Sequence, residues 1–140
     1  MPYNVLIVDD SGTMRNVIKK VLRLTGISFG SCLEAGNGQE AMDILESNWV
    51  DLILSDINMP VMDGFGLLRA IKSQPSFQDV PVVLITTESN EKRLQEAMRL
   101  GAKGYIHKPF TPETVRSLVK DVMGEADESA MPDSDEGCDF

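Results

Sequence analysis

Residues 5–13 read Val5-Leu6-Ile7-Val8-Asp9-Asp10-Ser11-Gly12-Thr13, four consecutive apolar side chains that stop at two carboxylates. A short apolar run without alternation is the pattern of a strand covered on both faces, as in a parallel sheet between two helix layers. Three further runs end in the same way. Leu52-Ile53-Leu54-Ser55 stops at Asp56, Val82-Val83-Leu84-Ile85 at Thr86, and Tyr105-Ile106-His107 at Lys108. In an open parallel sheet, ligands bind outside the carboxyl ends of the strands. One site is therefore expected, with three carboxylates, a hydroxyl and an ammonium, a set suited to a divalent cation beside a phosphoryl group.

Helical patterns fill the intervals. Met14, Val17, Ile18, Val21 and Leu22 recur at helical spacing, with Ser11 as a start and Gly26 as a stop. Asn37 with Glu40 opens a second helix carrying Ala41, Ile44 and Leu45. Asp63 caps a third, with Leu67, Leu68 and Ile71, that ends before Pro75. Leu94, Ala97 and Met98 mark a fourth, stopped at Gly101. Thr111-Pro112 supplies a cap and a proline at the first helical position of a fifth, which buries Val115, Leu118, Val119 and Val122. The remaining strand, roughly Gly30 to Ala35, is weaker and more polar, which suits a sheet edge. The pattern predicts an α/β fold of five βα units closing into a three-layer sandwich.

The chain has 140 residues, enough for one domain, and 42% of them are hydrophobic, as in an ordinary packed core. Its net charge of -9 argues against a nucleic-acid partner and against adhesion to an anionic membrane. That charge is uneven. Seven acids and no base lie between Gly124 and Phe140, which leaves fifteen acids against thirteen bases in the rest. No signal peptide or membrane-length apolar run is apparent, and two cysteines make no disulfide framework, so a reducing cytoplasm is the expected setting. Cys32 reads as core and Cys138 as a free thiol. Residues 1–123 are expected to form the domain and 124–140 a disordered acidic tail. A sharper alternative makes the tail a docking motif ending in Gly137-Cys138-Asp139-Phe140.

Asp9, Asp10 and Asp56 crowd negative charge that a cation must balance. Hard oxygen ligands of this kind suit Mg²⁺. Alone, the Asp9-Asp10 pair also reads as helix capping, Asp56 as a turn residue and Lys108 as a surface lysine. Together, Asp56 is a candidate nucleophile toward phosphorus, with the metal and Lys108 neutralising the phosphoryl oxygens and Thr86 donating a hydrogen bond to one of them. Thr87, one step on, faces the other way. The Lys108–Pro109 bond is a candidate cis peptide. His107 is placed at the readout surface, and Trp49 over the core near the end of the second helix.

These elements together resemble the receiver domains of two-component response regulators. The matching pieces are Val8-Asp9-Asp10, Asp56-x-x-Met59-Pro60-x-x-Asp63-Gly64, Thr86 and Lys108-Pro109-Phe110, and the resemblance spans about residues 4 to 123. Within the family, Asp10-Ser11-Gly12-Thr13-Met14-Arg15 and Gly104-Tyr105-Ile106-His107-Lys108-Pro109-Phe110 are most similar to the single-domain chemotaxis regulators. The resemblance implies a flavodoxin-like sheet of order 2-1-3-4-5. It makes Asp56 the phosphoacceptor of a histidine kinase. Mg²⁺ would be held by Asp10, Asp56 and the backbone carbonyl of Asn58, with Asp9 acting through water. Lys108 would contact the phosphoryl group, and Thr86 and Tyr105 would move together as the switch. Asn58 and Glu88 would tune the phosphoryl lifetime. The family usually has Ala or Gly where this chain has Thr87, so phosphorylation is expected at an altered rate.

Output would be a protein contact on the last-strand face, most simply with a flagellar motor switch, and a phosphatase is a further implied partner. The alternatives are a relay receiver or regulator of a non-flagellar target, and a small phosphatase using an aspartyl phosphate. Against the latter, Asn58 stands where a hydrolase of the haloacid dehalogenase type wants a second Asp as general acid.

Overall fold

The computed structural model describes residues 3–124. The two expectations for the acidic tail, disorder or a docking motif, fall on residues outside that range. Strands β1 (Tyr3–Val8), β2 (Phe29–Ala35), β3 (Leu52–Ser55), β4 (Val82–Thr86) and β5 (Gly104–His107) alternate with helices α1 (Gly12–Leu24), α2 (Gly38–Ser47), α3 (Gly64–Lys72), α4 (Glu91–Arg99) and α5 (Pro112–Met123). All strand pairs are parallel, in the order β2-β1-β3-β4-β5, with the polar second strand at an edge as its composition required.

Period-2 alternation along the strands divides the core in two. Leu6, Val8, Ile53, Val82 and Leu84 pack with α2, α3 and α4, while Val5, Ile7, Leu52, Leu54, Val83 and Ile85 pack with α1 and α5. Leu6, Ile7, Leu52, Ile53, Leu54, Leu84 and Ile85 are fully buried, and each such side chain contributes about 1.5–3 kcal/mol. Continuous apolar runs were thus the signature of a sheet sealed on both sides.

The helix starts follow from single side chains. Ser11 Oγ accepts from Met14 N, Asn37 Oδ1 from Glu40 N, Asp63 Oδ1 from Gly66 N, Asn90 Oδ1 from Lys92 N and Thr111 Oγ1 from Thr114 N. Each satisfies a backbone donor that the first turn leaves unpaired.

Two packing expectations are corrected. Cys32 is exposed, as are Gly30 and Ser31 before it, on a strand that forms the edge of the sheet. Trp49 is 77% exposed. It sits in the turn between α2 and β3, where its Nε1–H donates to Asp51 Oδ1 at 2.9 Å instead of covering the core. Val17 and Met98, assigned to buried stripes, lie at the margins of theirs and are about two-fifths exposed.

Val61 has φ 69°, a left-handed backbone that a β-branched side chain adopts only under strain, and its side chain is 84% exposed. The exposed side chain buries little, and relief of the strain outweighs the greater unfolded-state freedom of glycine, so Val61→Gly is expected to raise stability by about 1 kcal/mol, read as an increased urea midpoint at unchanged m-value.

Candidate phosphoryl-transfer site

The sheet ladder continues one rung past the strand ends. Asp56 N–H donates to Val8 O at 2.9 Å, and Lys108 N–H donates to Thr86 O at 2.8 Å. Two of the expected site residues are therefore mounted on backbone hydrogen bonds between adjacent strands, and β1, β3, β4 and β5 bring Asp9, Asp56, Thr86 and Lys108 to one edge of the sheet. Carboxylate oxygens of Asp9, Asp10 and Asp56 lie within 4.8 Å of one another. Clustered hard anionic oxygens at this spacing fit Mg²⁺, which needs few protein ligands because it keeps several waters.

The three carboxylates differ in surroundings. Asp9 is 2% exposed, and both its oxygens are engaged: Oδ1 accepts from Ser11 N at 2.9 Å and Oδ2 from Lys108 Nζ at 3.2 Å. Asp10 is exposed. Asp56 Oδ1 accepts from Ile57 N at 2.8 Å, while Oδ2 lies 3.7 Å from Lys108 Nζ. Burial raises the pKa of Asp56; the Lys108 ammonium pulls it down, the Asp9 carboxylate pushes it up, and the net direction is upward.

The loop after Asp56 is folded tightly against it. Gly64 N–H donates to Ile57 O at 2.7 Å, and a Cβ on Gly64 would fall 2.6 Å from Asp56 O and 2.8 Å from Ile57 Cα. The start of α3 and the base of β3 share space that only a glycine leaves open.

Thr86 is fully buried, and its Oγ1 accepts from Glu88 N at 2.8 Å, which leaves its own proton free to donate. Thr87 is exposed and lines a shallow apolar recess with Met14, Val17, Lys108, Pro109 and Phe110, on the side opposite Thr86 as alternation predicts. The Lys108–Pro109 bond is cis. Tyr105 is half-buried, with its ring edge-on to His107 at a centroid distance of 5.4 Å, and His107 is exposed.

Against known families, residues 5–120 match the model of the response regulator receiver domain. The chain belongs to the response regulator receiver family. A receiver is a signalling module that takes its input from a histidine kinase and passes it to a downstream target. Among curated relatives, a chemotaxis protein CheY homolog of Campylobacter jejuni is 38% identical over 121 residues, covering 86% of this chain and 92% of that protein. Among solved structures, the receiver is similar to Vibrio cholerae chemotaxis protein CheY4, with TM-score 0.78, 34% identity and coverage of 87% of this chain and 99% of that one. It is similar also to the receiver domain of a Pseudomonas aeruginosa sensor histidine kinase, which has a magnesium ion coordinated in its active-site cleft; there the TM-score is 0.78 at 25% identity, covering 89% of this chain and 100% of that one. Among the described residues, no helix of the receiver is long and apolar enough to cross a membrane.

Four residues that shape this receiver's site escaped the sequence reading. Arg15 donates from a terminal guanidinium nitrogen to Asp9 O while its Nε binds Glu34 Oε1 at 2.9 Å, so α1 holds the acidic loop from below. Lys19 joins the same carboxylate at 2.7 Å, and these two partners, Lys19 first, lower the Glu34 pKa. Arg93 binds Glu88 Oε1 at 2.8 Å and lies 4.8 Å over the Phe65 ring, tying the loop after β4 to α3. Gly64 is the fourth. Its place in the Asp63-Gly64 pair was noted, but its contact with Asp56 depends on tertiary packing that no local pattern encodes.

Proposed function

We propose that this receiver is a stand-alone response regulator in which Asp56 accepts a phosphoryl group from the phosphohistidine of a sensor kinase. The observation that carries the reading is the placement of Asp56 Oδ2 within 3.7 Å of Lys108 Nζ, in a cluster with Asp9 and Asp10. In the transfer, an Asp56 carboxylate oxygen forms the new P–O bond as the donor P–N bond breaks, and the imidazole leaves and takes up a proton. Oδ1 is held by Ile57 N, so Oδ2, on the lysine side, is the oxygen assigned to attack.

Asp10, Asp56 and the backbone carbonyl of Asn58 would hold Mg²⁺, which when bound supplies positive charge against the phosphoryl oxygens. Asp9, with both oxygens already bonded, is suited to act through water. Lys108 neutralises the transferred group. Thr86 turns its free hydroxyl proton to a phosphoryl oxygen, and Tyr105 adjusts its rotamer in step, so that one new charge-assisted contact biases two packings. Asn58 and Glu88 tune how fast water removes the group.

The target surface in this reading is the β5 edge around Tyr105 and His107. The similarity to chemotaxis proteins supports a flagellar motor switch as the target, a cytoplasmic setting, and a phosphatase that clears the signal as a further partner. The likeness to a receiver that belongs to a histidine kinase supports a second reading, an intermediate in a phosphorelay.

Incubation with acetyl phosphate and Mg²⁺ is expected to place one phosphoryl group on Asp56, located by borohydride reduction and mass spectrometry, and none in excess EDTA; labelling elsewhere, or without metal, would remove the assignment. Affinity capture with and without beryllofluoride and Mg²⁺ then separates the two targets. Flagellar switch proteins enriched only in the activated sample support motor control, and a histidine phosphotransfer protein supports the relay.

A further inference from the structure

The outer flank of α1 has a feature that phosphoryl transfer does not use. Lys19, Leu22, Arg23, Ile27, Phe29 and Cys32 line a groove of about 480 Å³ between α1 and the start of β2. Its floor is apolar, its rim is basic, and no Asp or Glu lines it. Arg23 is exposed and forms no ion pair among the described residues, whereas Lys19 is shared with Glu34. A free guanidinium beside an apolar floor is a site for a segment that combines carboxylates with an aromatic anchor.

Such a segment exists in this chain. We propose that residues 125–140 dock in the α1–β2 groove, with their carboxylates on Arg23 and Lys19 and Phe140 against Leu22, Ile27 and Phe29. Those sixteen residues hold seven acids, no base and one aromatic residue. Helices in βα units run antiparallel to their strands, so the end of α5 and the end of α1 lie at the same edge of the sheet, where β2 also begins. Met123 packs in the same core as Ile27 and Phe29, and Arg116 of α5 donates to Thr25 O at the end of α1. Packed helices are about 8–10 Å apart. The fourteen residues from Glu125 to Cys138 reach about 45 Å when extended, at about 3.3 Å each, so the span is short. Tethering gives a weak contact an effective concentration on the order of millimolar.

Charge discriminates between this groove and two other recesses among the described residues. The one beside Thr87 and Phe110 has Lys108 as its one charged lining residue, and that ammonium is already shared between Asp9 and Asp56. The one lined by Leu45, Trp49, Phe77 and Val80 has no cation on its rim. The docked pose also brings together the chain's two cysteines, since Cys32 lines the groove and Cys138 lies two residues before Phe140.

That pairing provides the test on the full chain. Diamide takes two electrons and two protons from the thiols of Cys32 and Cys138 and is reduced to its hydrazine as the S–S bond forms, so the linked monomer reports the encounter. Rates are referred to the reaction of each thiol with iodoacetamide. In low salt the linked monomer is expected to form several-fold faster than in 0.5 M NaCl, where screening shortens the reach of the charges. Arg23→Glu is expected to remove that salt dependence, and Phe140→Ser to slow linkage at either salt. Equal rates for all three proteins at both salts would overturn the proposal. Disulfide-linked dimers in place of linked monomers at low micromolar protein would overturn it in favour of tails exchanged between copies.

Discussion

Asp56→Asn is expected to abolish all labelling by acetyl phosphate while raising the melting temperature in metal-free buffer. The two effects have one source. The amide keeps the size of the side chain but removes the nucleophilic anion, so no acyl phosphate forms. It also removes a charge that the fold holds at a cost. The pKa of Asp56 is raised by burial, more than Lys108 can offset, with Asp9 adding repulsion. A carboxyl whose pKa is higher folded than unfolded binds its proton more tightly in the native state. Its ionisation therefore subtracts stability as pH rises through the unfolded value and up to the folded one, and the loss is complete above it. The stability difference between Asp56→Asn and the native chain should be smallest below the unfolded carboxylate value, grow as pH rises through it towards the raised folded value, and level off above that. Thermal melts in EDTA at stepped pH measure it, and a gain of a few degrees is expected at neutrality, since ~1 kcal/mol is ~4 °C for a domain of this size. A melting temperature for Asp56→Asn at or below that of the native chain at pH 7 would contradict the strained-carboxylate account even if labelling is lost.

The second large effect lies at Gly64, which carries no functional group. An added methyl would meet backbone atoms, Asp56 O at 2.6 Å and Ile57 Cα at 2.8 Å, and backbone cannot rotate aside as a side chain can. Gly64→Ala is expected to destabilise the fold by about 2–3 kcal/mol, in the range of overpacking in a tight core. Because the displaced atoms belong to the phosphoacceptor and its neighbour, the labelling rate should fall by an order of magnitude or more, as misplacement of a reacting group by ~1 Å costs ~100-fold. Gly38→Ala is the control. Its new Cβ would fall 2.7 Å from Met62 Cγ, 2.8 Å from Met62 Sδ and 2.9 Å from Met62 Cβ, all atoms of one side chain, so no backbone atom of the phosphoacceptor is pushed. It should cost less stability and leave labelling close to native. Equal damage from both would mean that crowding of backbone at Asp56 is not what Gly64 prevents.

What the sequence made legible, and what it did not, follows the range of each interaction. Val5 to Val8, Leu52 to Leu54 and Val82 to Ile85 announced themselves because burial on both faces leaves no polar alternation. Asn37, Asp63 and Thr111 were readable as helix starts because a cap acts within three residues of itself. The site was legible because chain order and sheet topology place strand ends side by side. Cys32 and Trp49 were misjudged for the complementary reason. An apolar residue in a strand, or after a helix, is buried only if another element covers it, and neither β2 nor the α2–β3 turn is covered there. Arg93 was missed because its partners, Glu88 and Phe65, lie at spacings that follow no helical or strand period. The left-handed backbone of Val61 carries no sequence signal at all, since valine is among the residues least suited to it.

The sheet ends at β5, and successive residues of that strand sink into opposite cores. Tyr105 leans on the layer of α2, α3 and α4, and Ile106 is buried in the layer of α1 and α5. A protein resting along this open margin touches both layers at once. On the proposed reading such a partner would compare the two halves of the molecule, its grip depending on their agreement.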